Sequence, residues 1–343
     1  MKLPEARGPL SSHVVALLRD QPVGDLRSSA GWSRRPADVW GDVLGDEDFH
    51  LALWMLYELH YRGFDDVEDH EWDPHVIAVR RQLERPFEEE LRQRTADHVR
   101  KSLHHSGDLV DQVTFLIDSI DGPNLAAYLQ REASREEVLD FLAQRSLYHL
   151  KESDPHAFVV PRIDGPAKVA LAELQYDEYG AGRPDRLHAR LFADALEACG
   201  LDSGYGAYVD RVPGHTLAVN NVMSLFAMSR RLRGAALGHL AAFEATSSVP
   251  CRRIAAGIER VGLPDVVAAY FHEHVEADAA HEQVAIRDIC GSLVADDPAL
   301  RTDVLFGVAS CLWLDVLAAR GLLDAWQGVR RGPDADLPER IAG

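Results

Sequence analysis

The spacing of apolar residues constrains this chain most, because it repeats with a helical period and almost never alternates as in a strand. Asp121-Gly122 and Asp164-Gly165 could form hairpin turns, but each pair is followed by proline and adjoins helical patterns. We interpret both as helix-to-helix turns, and the short connections favour packed antiparallel helices. The predicted fold class is all-α, with helices over roughly residues 48–63, 74–103, 114–120, 124–131, 136–152, 167–179, 184–199, 217–246, 251–262, 264–293 and 298–323.

Length and local composition predict how the chain is organised. A chain of 343 residues fits two domains, or one large helical bundle with an extension. Gly, Pro, Ser and Arg recur in the first 45 residues, as in the run at 27–31. We predict an irregular or partly helical N-terminal extension over residues 1–45, a helical domain over residues 46–330 and a C-terminal tail over residues 331–343.

The charge of the chain argues against nucleic acid as a partner. There are 36 Lys and Arg residues against 55 Asp and Glu residues, which gives a formal net charge of −19. Binding to a phosphate backbone requires a concentrated basic face, and the basic clusters here, such as 230–233, are short. We interpret them as solvated or salt-bridged helix faces.

Cysteine usage and apolar runs bear on the cellular compartment. The four cysteines, at positions 199, 251, 290 and 311, include no Cys-x-x-Cys pair, so neither a disulfide framework nor a zinc–thiolate site is supported. No apolar run near the N-terminus resembles a signal peptide. The longest stretch without Asp, Glu, Lys or Arg, Val212 to Ser229, is too polar to span a bilayer. The sequence therefore predicts a cytoplasmic protein with no membrane partner.

One predicted helix carries metal-ligand residue types on its apolar face. Asp278 lies about 40° from His274 around the helix, and His281 lies about 20° from it on the other side. Apolar Val267 and Phe271 continue the same face, which should point at the core. Burying these polar groups unpaired would be costly. A bound iron, manganese or zinc ion would remove that cost, and a buried polar network is the alternative.

Further ligands must come from other helices, and the sequence offers several candidates. Glu152 ends one helical pattern, Glu178 lies near the end of another, and His188 follows a proline that suits a first helical turn. The glycines and proline within 180–184 offer a break that could bring Glu178 and His188 to one point. Asp185 repeats the Asp-x-x-His spacing with His188, so spacing alone leaves Asp185 as a rival ligand to Glu178.

Two other acidic residues invite a functional interpretation. Glu47 and His50 form the only Glu-x-x-His motif, whereas ferritin-like diiron proteins need two such motifs on different helices. We interpret this single match as coincidence. Glu244 follows apolar Leu240 and Phe243 and could line a pocket, although a satisfied buried polar group is the simpler interpretation.

The order and surroundings of these candidates resemble a known family. Glu152, Glu178, His188 and then His274-x-x-x-Asp278-x-x-His281 resemble the six-ligand pattern of the haem-oxygenase-like diiron oxidases and oxygenases. The local sequences Tyr-His-Leu-Lys-Glu at 148–152, Asp-Glu-Tyr-Gly-Ala-Gly-Arg-Pro at 177–184 and Glu-Leu-His-Tyr-Arg-Gly-Phe at 58–64 resemble proteins described as iron-containing redox enzymes. The resemblance covers residues 48 to about 325 and leaves out the first 45.

The resemblance implies a haem-oxygenase-like bundle of about seven core helices that binds two Fe(II) ions without haem. It implies O2 as co-substrate in the oxidation of a small molecule, by N-oxygenation, desaturation or C–C cleavage. It also implies that binding of the second iron can depend on the presence of substrate. Glu152, His188 and one of His274 and His281 would hold one iron. Glu178, Asp278 and the other histidine would complete the second, and the resemblance favours Glu178 over Asp185. All six residues are candidate catalytic and metal-binding residues: Glu152, Glu178, His188, His274, Asp278 and His281.

Two alternatives stay open from the sequence. His274, Asp278 and His281 could hold a single metal with a bound water, as in a hydrolase or isomerase. The chain could also be a non-catalytic helical binding protein in which the same side chains form a hydrogen-bond network. For the diiron interpretation we expect a small-molecule substrate from specialised metabolism, an external electron donor and a homodimer, the last from the frequency of dimers among soluble enzymes.

Overall fold

All regular elements that the computed structural model describes are helical, and the all-α prediction is confirmed for that part of the chain. The structure describes residues 1–24, 26, 43–65 and 67–331. The α-helices are Pro9–Leu18 (α1), Glu47–Glu58 (α2), Pro74–Leu103 (α3), Leu109–Ser119 (α4), Leu125–Arg131 (α5), Arg135–His149 (α6), Asp154–Ala157 (α7), Gly165–Glu178 (α8), His188–Ala198 (α9), Gly214–Met228 (α10), Arg233–Arg260 (α11), Asp265–Gln283 (α12), Ser292–Asp296 (α13) and Arg301–Arg331 (α14). A π-helical segment, Val284–Gly291, joins α12 to α13.

Side-chain caps set several of these helix starts. The Asp73 carboxylate accepts hydrogen bonds from the first turn of α3, and Asn124 does the same for α5. Ser134 forms a capping box with Glu137 at the start of α6. These caps satisfy backbone N–H groups that have no partner within the helix. They lie within a residue or two of the starts predicted from the sequence.

The predicted single helix over residues 217–246 is wrong, because the chain breaks between α10 and α11. Ser229 adopts an extended conformation with φ −106° and ψ 108°, and a short 3-10 turn follows. Helix α11 then continues through Pro250, so the separate helix predicted over residues 251–262 is the second half of α11. The break contains neither glycine nor proline, which is why local sequence signals do not mark it.

Helix α11 lies at the centre of the core and meets α14 at very short range. A Cβ atom built on Gly238 would lie 1.9 Å from the carbonyl oxygen of Val304. A Cβ atom on Gly307 would lie 2.0 Å from the carbonyl oxygen of Ala235. The absence of a side chain at both glycines therefore lets the two helix backbones touch, and this contact fixes the depth of α11 in the bundle.

Helix α1 is attached to the rest of the core by a cap from a different helix. The Asp48 carboxylate of α2 accepts hydrogen bonds from the backbone N–H groups of Leu10, at 2.8 Å, and Ser11, at 2.7 Å. Leu10, Val14 and Leu18 are buried in the same apolar cluster as the main helices. Residues 27–42 of the proposed extension and residues 332–343 of the proposed tail lie outside the described residues, and the predicted domain boundaries stay predictions.

Within the described part of the chain, one helix is long and apolar enough to cross a membrane by length and composition. It covers Pro298–Gly328, and 61% of its most apolar window is buried inside the protein. A core helix of this kind meets the same criterion without any membrane.

Candidate metal centre

The first candidate ligand, Glu152, lies in a tight turn that follows α6. Ser153, directly after it, has a φ of 66°, in the left-handed region that non-glycine residues rarely adopt. Three contacts hold the turn in this conformation. Arg62 donates to the carbonyl of Leu150 at 2.7 Å, and Gln175 donates to the carbonyl of Ser153 at 3.0 Å. The Ser153 hydroxyl lies 3.3 Å from a Glu178 oxygen, so the turn contacts a second candidate ligand directly.

Glu152, His188 and His274 form the first group of ligand-type side chains, which we call cluster A. One ligand atom from each lies within 4.8 Å of the others, and all three side chains are buried. The three residues come from the turn after α6, the first turn of α9 and the middle of α12. Helix packing therefore brings together residues up to 122 positions apart in the sequence.

Glu178, Glu244 and His281 form a second buried group with the same spacing of ligand atoms, which we call cluster B. Glu178 ends α8, Glu244 lies within α11, and His281 lies near the end of α12, three residues before the π-helical segment. Asp278 lies in α12 between His274 and His281, but its side chain is outside the described part of the structure. Its predicted role as a ligand therefore stays a prediction.

The two clusters are neighbours, and His188 lies between them. Its Nδ1 atom is 3.1 Å from Glu178 Oε2 and 3.9 Å from Glu152 Oε2. On the cluster B side, His281 Nδ1 is 3.6 Å from Glu178 Oε1 and 3.6 Å from Glu244 Oε2. The arrangement is therefore one continuous site with two groups of donors.

Hydrogen bonds from outside cluster A orient its ligands. The Tyr270 hydroxyl lies 2.7 Å from Glu152 Oε2 and 2.7 Å from His149 Nδ1, and His149 Nδ1 lies 3.0 Å from Glu152 Oε1. His274 Nδ1 lies 2.8 Å from the carbonyl of Tyr270, which can only accept, so Nδ1 carries the hydrogen. The Nε2 atom of His274 then faces Glu152 at 3.5 Å. Metal-bound histidines are commonly oriented in this way, by a hydrogen bond from the other ring nitrogen.

Comparison with known proteins identifies the class to which this site belongs. Residues 139–316, more than half of the chain, match the sequence model of a family described as "Iron-containing redox enzyme". The chain belongs to this family. The matched region contains every residue of clusters A and B. The resemblance seen in the sequence is thereby confirmed, and membership supports an oxidative iron enzyme.

A curated relative of this redox enzyme has a named activity. The chain is 30% identical over 154 residues to a nitrosourea synthase from Streptomyces achromogenes subsp. streptozoticus. That match covers 45% of this chain and 33% of the relative. The chain thus spans about a third of the length of the curated protein that it matches.

The donor set of this redox enzyme fits iron. His188 Nδ1 and His274 Nε2 are buried and make no hydrogen bond of normal geometry to any described residue, and each faces a carboxylate oxygen of the site, at 3.1 and 3.5 Å. Imidazole together with carboxylate suits iron, manganese and zinc, and thiolate ligands are absent from both clusters. A buried unpaired nitrogen is costly, and coordination of a metal ion would remove the cost.

The charges of cluster A also favour a cation. Glu152 is buried, and among the described residues no Lys or Arg lies within 4.0 Å of it. Although burial opposes the shift, the negative charge of the nearby Glu152 carboxylate raises the pKa of His274 to about 10. Burial alone would raise the pKa of Glu152, but His149 and His274 lower it well below its ordinary value. Without metal, a protonated His274 therefore balances this carboxylate, and a metal cation can take over that role.

A cavity of about 430 Å³ opens beside cluster A. Glu152, His274 and Tyr270 form part of its wall, and Tyr148 and Phe243 supply aromatic surface next to them. A substrate in this cavity would therefore lie against the cluster A ligands. Such a concave, largely apolar space with a few polar groups is typical of small-molecule sites.

The structure places the rival candidates away from the site. Asp185 is exposed and pairs with Arg183 at 2.8 Å, so it is not brought to the clusters as Glu178 is. His50 of the isolated Glu-x-x-His motif is fully buried and lies 3.1 Å from the amide of Asn221. Its partner Glu47 pairs with Arg7 at the surface.

Sequence reasoning did not identify Tyr270 as a site residue, and it gave Glu244 only as a residue that could line a pocket. Glu244 carries a weak signal, because it follows the apolar pair Leu240 and Phe243 on a long buried helix, but the pattern gives it no partner. Tyr270 lies four residues before His274, one helical turn away, and tyrosine at such a position is usually packing. Both roles become visible only when α11, α12 and the Glu152 turn meet.

Proposed function

We propose that this chain is a non-haem diiron enzyme that activates O2 to oxidise a small-molecule metabolite. The observation that carries the proposal is the position of His188, whose Nδ1 atom lies 3.1 Å from Glu178 Oε2 of cluster B and 3.9 Å from Glu152 Oε2 of its own cluster A. Two donor groups this close suit a pair of metal ions that share ligands. A single-metal hydrolase would need only one of them.

In this proposal each cluster holds one iron. Glu152, His188 and His274 hold the first. Glu178, Glu244 and His281 hold the second, together with Asp278 as the ligand proposed from the sequence. This pairs His274 with the first iron and His281 with the second, and it adds Glu244 to the six ligands proposed from the sequence.

When bound, two ferrous ions would supply the electrons that reduce O2. The side chains of the chain have other tasks. Tyr270 and His149 hold the Glu152 carboxylate in place, and the carbonyl of Tyr270 fixes the ring of His274. The aromatic wall of Tyr148 and Phe243 keeps the adjoining cavity apolar and limits the access of water to the ligands.

The curated relative favours one of the three outcomes considered from the sequence. A nitrosourea contains an oxidised nitrogen, so the formation of a nitrosourea requires nitrogen oxidation. We therefore place N-oxygenation before desaturation and C–C cleavage for this chain. We also propose a cytoplasmic enzyme of specialised metabolism that acts as a homodimer with an external electron donor.

Metal counting tests the proposal. The purified protein is loaded with Fe(II) under anaerobic conditions, freed of unbound iron and analysed for iron per chain, then mixed rapidly with O2 while the optical spectrum is recorded. We expect about two irons per chain and a transient visible absorption band. Fewer than two irons per chain at saturating Fe(II), with and without candidate substrates, would contradict the diiron proposal.

A pair of matched variants assigns the second iron. Glu244→Gln removes a cluster B carboxylate and should reduce the iron content towards one per chain. Glu259→Gln changes an exposed residue of the same helix that contacts His272 and should keep both irons. One metal per chain in the unmodified protein, unaffected by Glu244→Gln and active with zinc, would support the single-metal alternative.

A further inference from the structure

The cavity beside cluster A carries two opposite charges away from the metal ligands. Arg145 lies on α6, seven residues before Glu152 in the sequence, and lines the cavity. Asp315 lies on α14 and lines the same cavity. Neither residue belongs to either cluster.

Neither side chain has an ion-pair partner within 4.0 Å among the described residues, although the positive charge of Arg145 counteracts the rise that burial causes in the pKa of Asp315. No Arg145 nitrogen lies within 4.0 Å of an Asp315 oxygen, and across the described residues the guanidinium has no ion pair or hydrogen bond. Its contact is the ring of Phe141, with the centroid 5.4 Å away. The Asp315 carboxylate has only a weak contact, with Cys311 Sγ at 4.0 Å, in the part of the chain that is described. Unpaired charges that face an enclosed space are costly unless a ligand completes them.

Asn220 adds a hydrogen-bond acceptor to the same cavity. Asn220 is buried and lines the cavity, and its Oδ1 atom has no hydrogen-bond partner in the described structure. One N–H of its side-chain amide donates to the carbonyl of Thr216 at 3.0 Å. A free carbonyl oxygen and a carboxylate suit a ligand with several N–H donors, as an ammonium group has.

Apolar side chains form much of the remaining wall, beside polar residues such as Gln144, Thr216 and His239. Met223, Phe243 and Leu312 line the cavity together with Tyr148. The cavity therefore matches a small molecule that has a charged head and a less polar body. The volume of about 430 Å³ lies within the range of sites for small ligands.

We propose that Arg145 and Asp315 bind the carboxylate and ammonium groups of an amino acid, and that its side chain extends towards Glu152 and His274. This inference rests on the proposed function, because it names the substrate class for the same site. Arg145 binds a carboxylate through two parallel N–H groups, and Asp315 with Asn220 accepts from the ammonium. Both charges of a zwitterion are then needed for binding.

Ligand truncation tests the proposal directly. The Fe(II)-loaded protein is titrated anaerobically, by calorimetry, with each of the twenty proteinogenic L-amino acids. The tightest is then compared with its decarboxylated amine and with the acid that lacks the α-amino group. We expect the intact amino acid to bind at least tenfold more tightly than either truncated compound.

Variants link each ligand group to one side chain. Asp315→Asn should weaken binding of the intact amino acid about tenfold and leave binding of the deaminated acid unchanged. Arg145→Gln should weaken the intact amino acid similarly and leave the decarboxylated amine unchanged. Asp315→Glu keeps the charge and should retain the preference for the intact amino acid. Asp324→Asn, on an exposed part of the same helix, is the matched control.

Three results would overturn the proposal. One is that no amino acid binds, the second is that a truncated compound binds as tightly as its parent, and the third is that folded Asp315→Asn and Arg145→Gln proteins retain the wild-type preference. Iron is counted on the same samples. Two irons without amino-acid selectivity reject this inference alone, whereas selective binding with fewer than two irons rejects the diiron proposal alone.

Discussion

Lys151 and Glu58 form an ion pair that is closed off from solvent, with side chains only 1% and 0% exposed. The Tyr205 hydroxyl donates to the second oxygen of Glu58, and Lys151 Nζ lies 4.2 Å from the centre of the Tyr61 ring. Lys151 directly precedes the cluster A ligand Glu152. The pair therefore ties α2 to the turn that positions a proposed iron ligand.

Breaking this pair should destabilise the protein strongly. Lys151→Met leaves the Glu58 charge buried without its cation, and we expect a loss of about 3–5 kcal/mol in the free energy of unfolding. Urea denaturation measures the loss. The double variant Lys151→Met with Glu58→Leu should recover much of it, because the unpaired charge is gone.

An exposed pair provides the control for the Lys151 variant. Arg190 and Asp194 lie 2.7 Å apart on the surface of α9. Arg190→Met should change the free energy of unfolding by no more than about 1 kcal/mol. Equal losses in Lys151→Met and Arg190→Met would contradict the role assigned to the buried pair.

Removing the Tyr270 hydroxyl should weaken iron binding without unfolding the protein. Tyr270→Phe keeps the ring but removes the donor to Glu152, so the carboxylate becomes less well oriented. We expect a loss of about 10–100-fold in Fe(II) affinity, measured by competition with a chelator. Tyr128→Phe, which removes a hydroxyl bound to Glu137 on the far α5–α6 contact, should leave the affinity unchanged. The hypothesis is wrong if both variants bind iron equally well.

The close contact between α11 and α14 makes a sharp prediction about two glycines on one helix. A methyl group at position 238 would overlap the carbonyl oxygen of Val304, so Gly238→Ala should cost about 1–3 kcal/mol or more. At Gly234 the nearest atom is the Asp303 Cβ at 3.1 Å, and alanine gains about 1 kcal/mol in helix propensity. Gly234→Ala should therefore be much milder. Thermal denaturation compares the two, and similar melting temperatures would refute the contact.

His50 should contribute to the loss of stability in acid. Burial lowers its pKa from 6.5 to about 3, so the folded protein holds this ring neutral while the unfolded chain protonates it below pH 6.5. Stability is unaffected above pH 6.5 and falls as the pH decreases towards 3. Between pH 7.5 and 5.5 this group should lower the free energy of unfolding by about 1.4 kcal/mol.

A neutral replacement isolates the contribution of His50. His50→Gln keeps a polar side chain beside Asn221 but cannot be protonated. The difference in its unfolding free energy between pH 7.5 and 5.5, from urea titrations, should be smaller than that of the wild type by about 1.4 kcal/mol. An unchanged pH dependence would show that His50 is accessible to protons in the folded state.

Much of the fold and part of the site could be predicted because they depend on local patterns. Apolar periodicity gives the helices, and caps such as Asp73 give their starts. The face shared by His274 and His281 follows from helix geometry alone, which is why a metal site is visible from α12 by itself.

Other features depend on contacts that no local pattern encodes. The break at Ser229 has no glycine or proline, and only the packed structure shows it. Glu244 becomes a candidate ligand because α11 brings it within 3.6 Å of His281. The same holds for Arg145 and Asp315, which are 170 positions apart and share a cavity only after α6 and α14 have packed.

The cap that Asp48 places on α1 has a consequence for the covalent chain. Hydrogen bonds and buried apolar side chains hold residues 9–18 against the core. A protease that cut between residues 27 and 42 would therefore leave a two-piece protein whose smaller piece remains bound. That piece would behave as a peptide ligand, and separately expressed fragments should reassemble into the native complex.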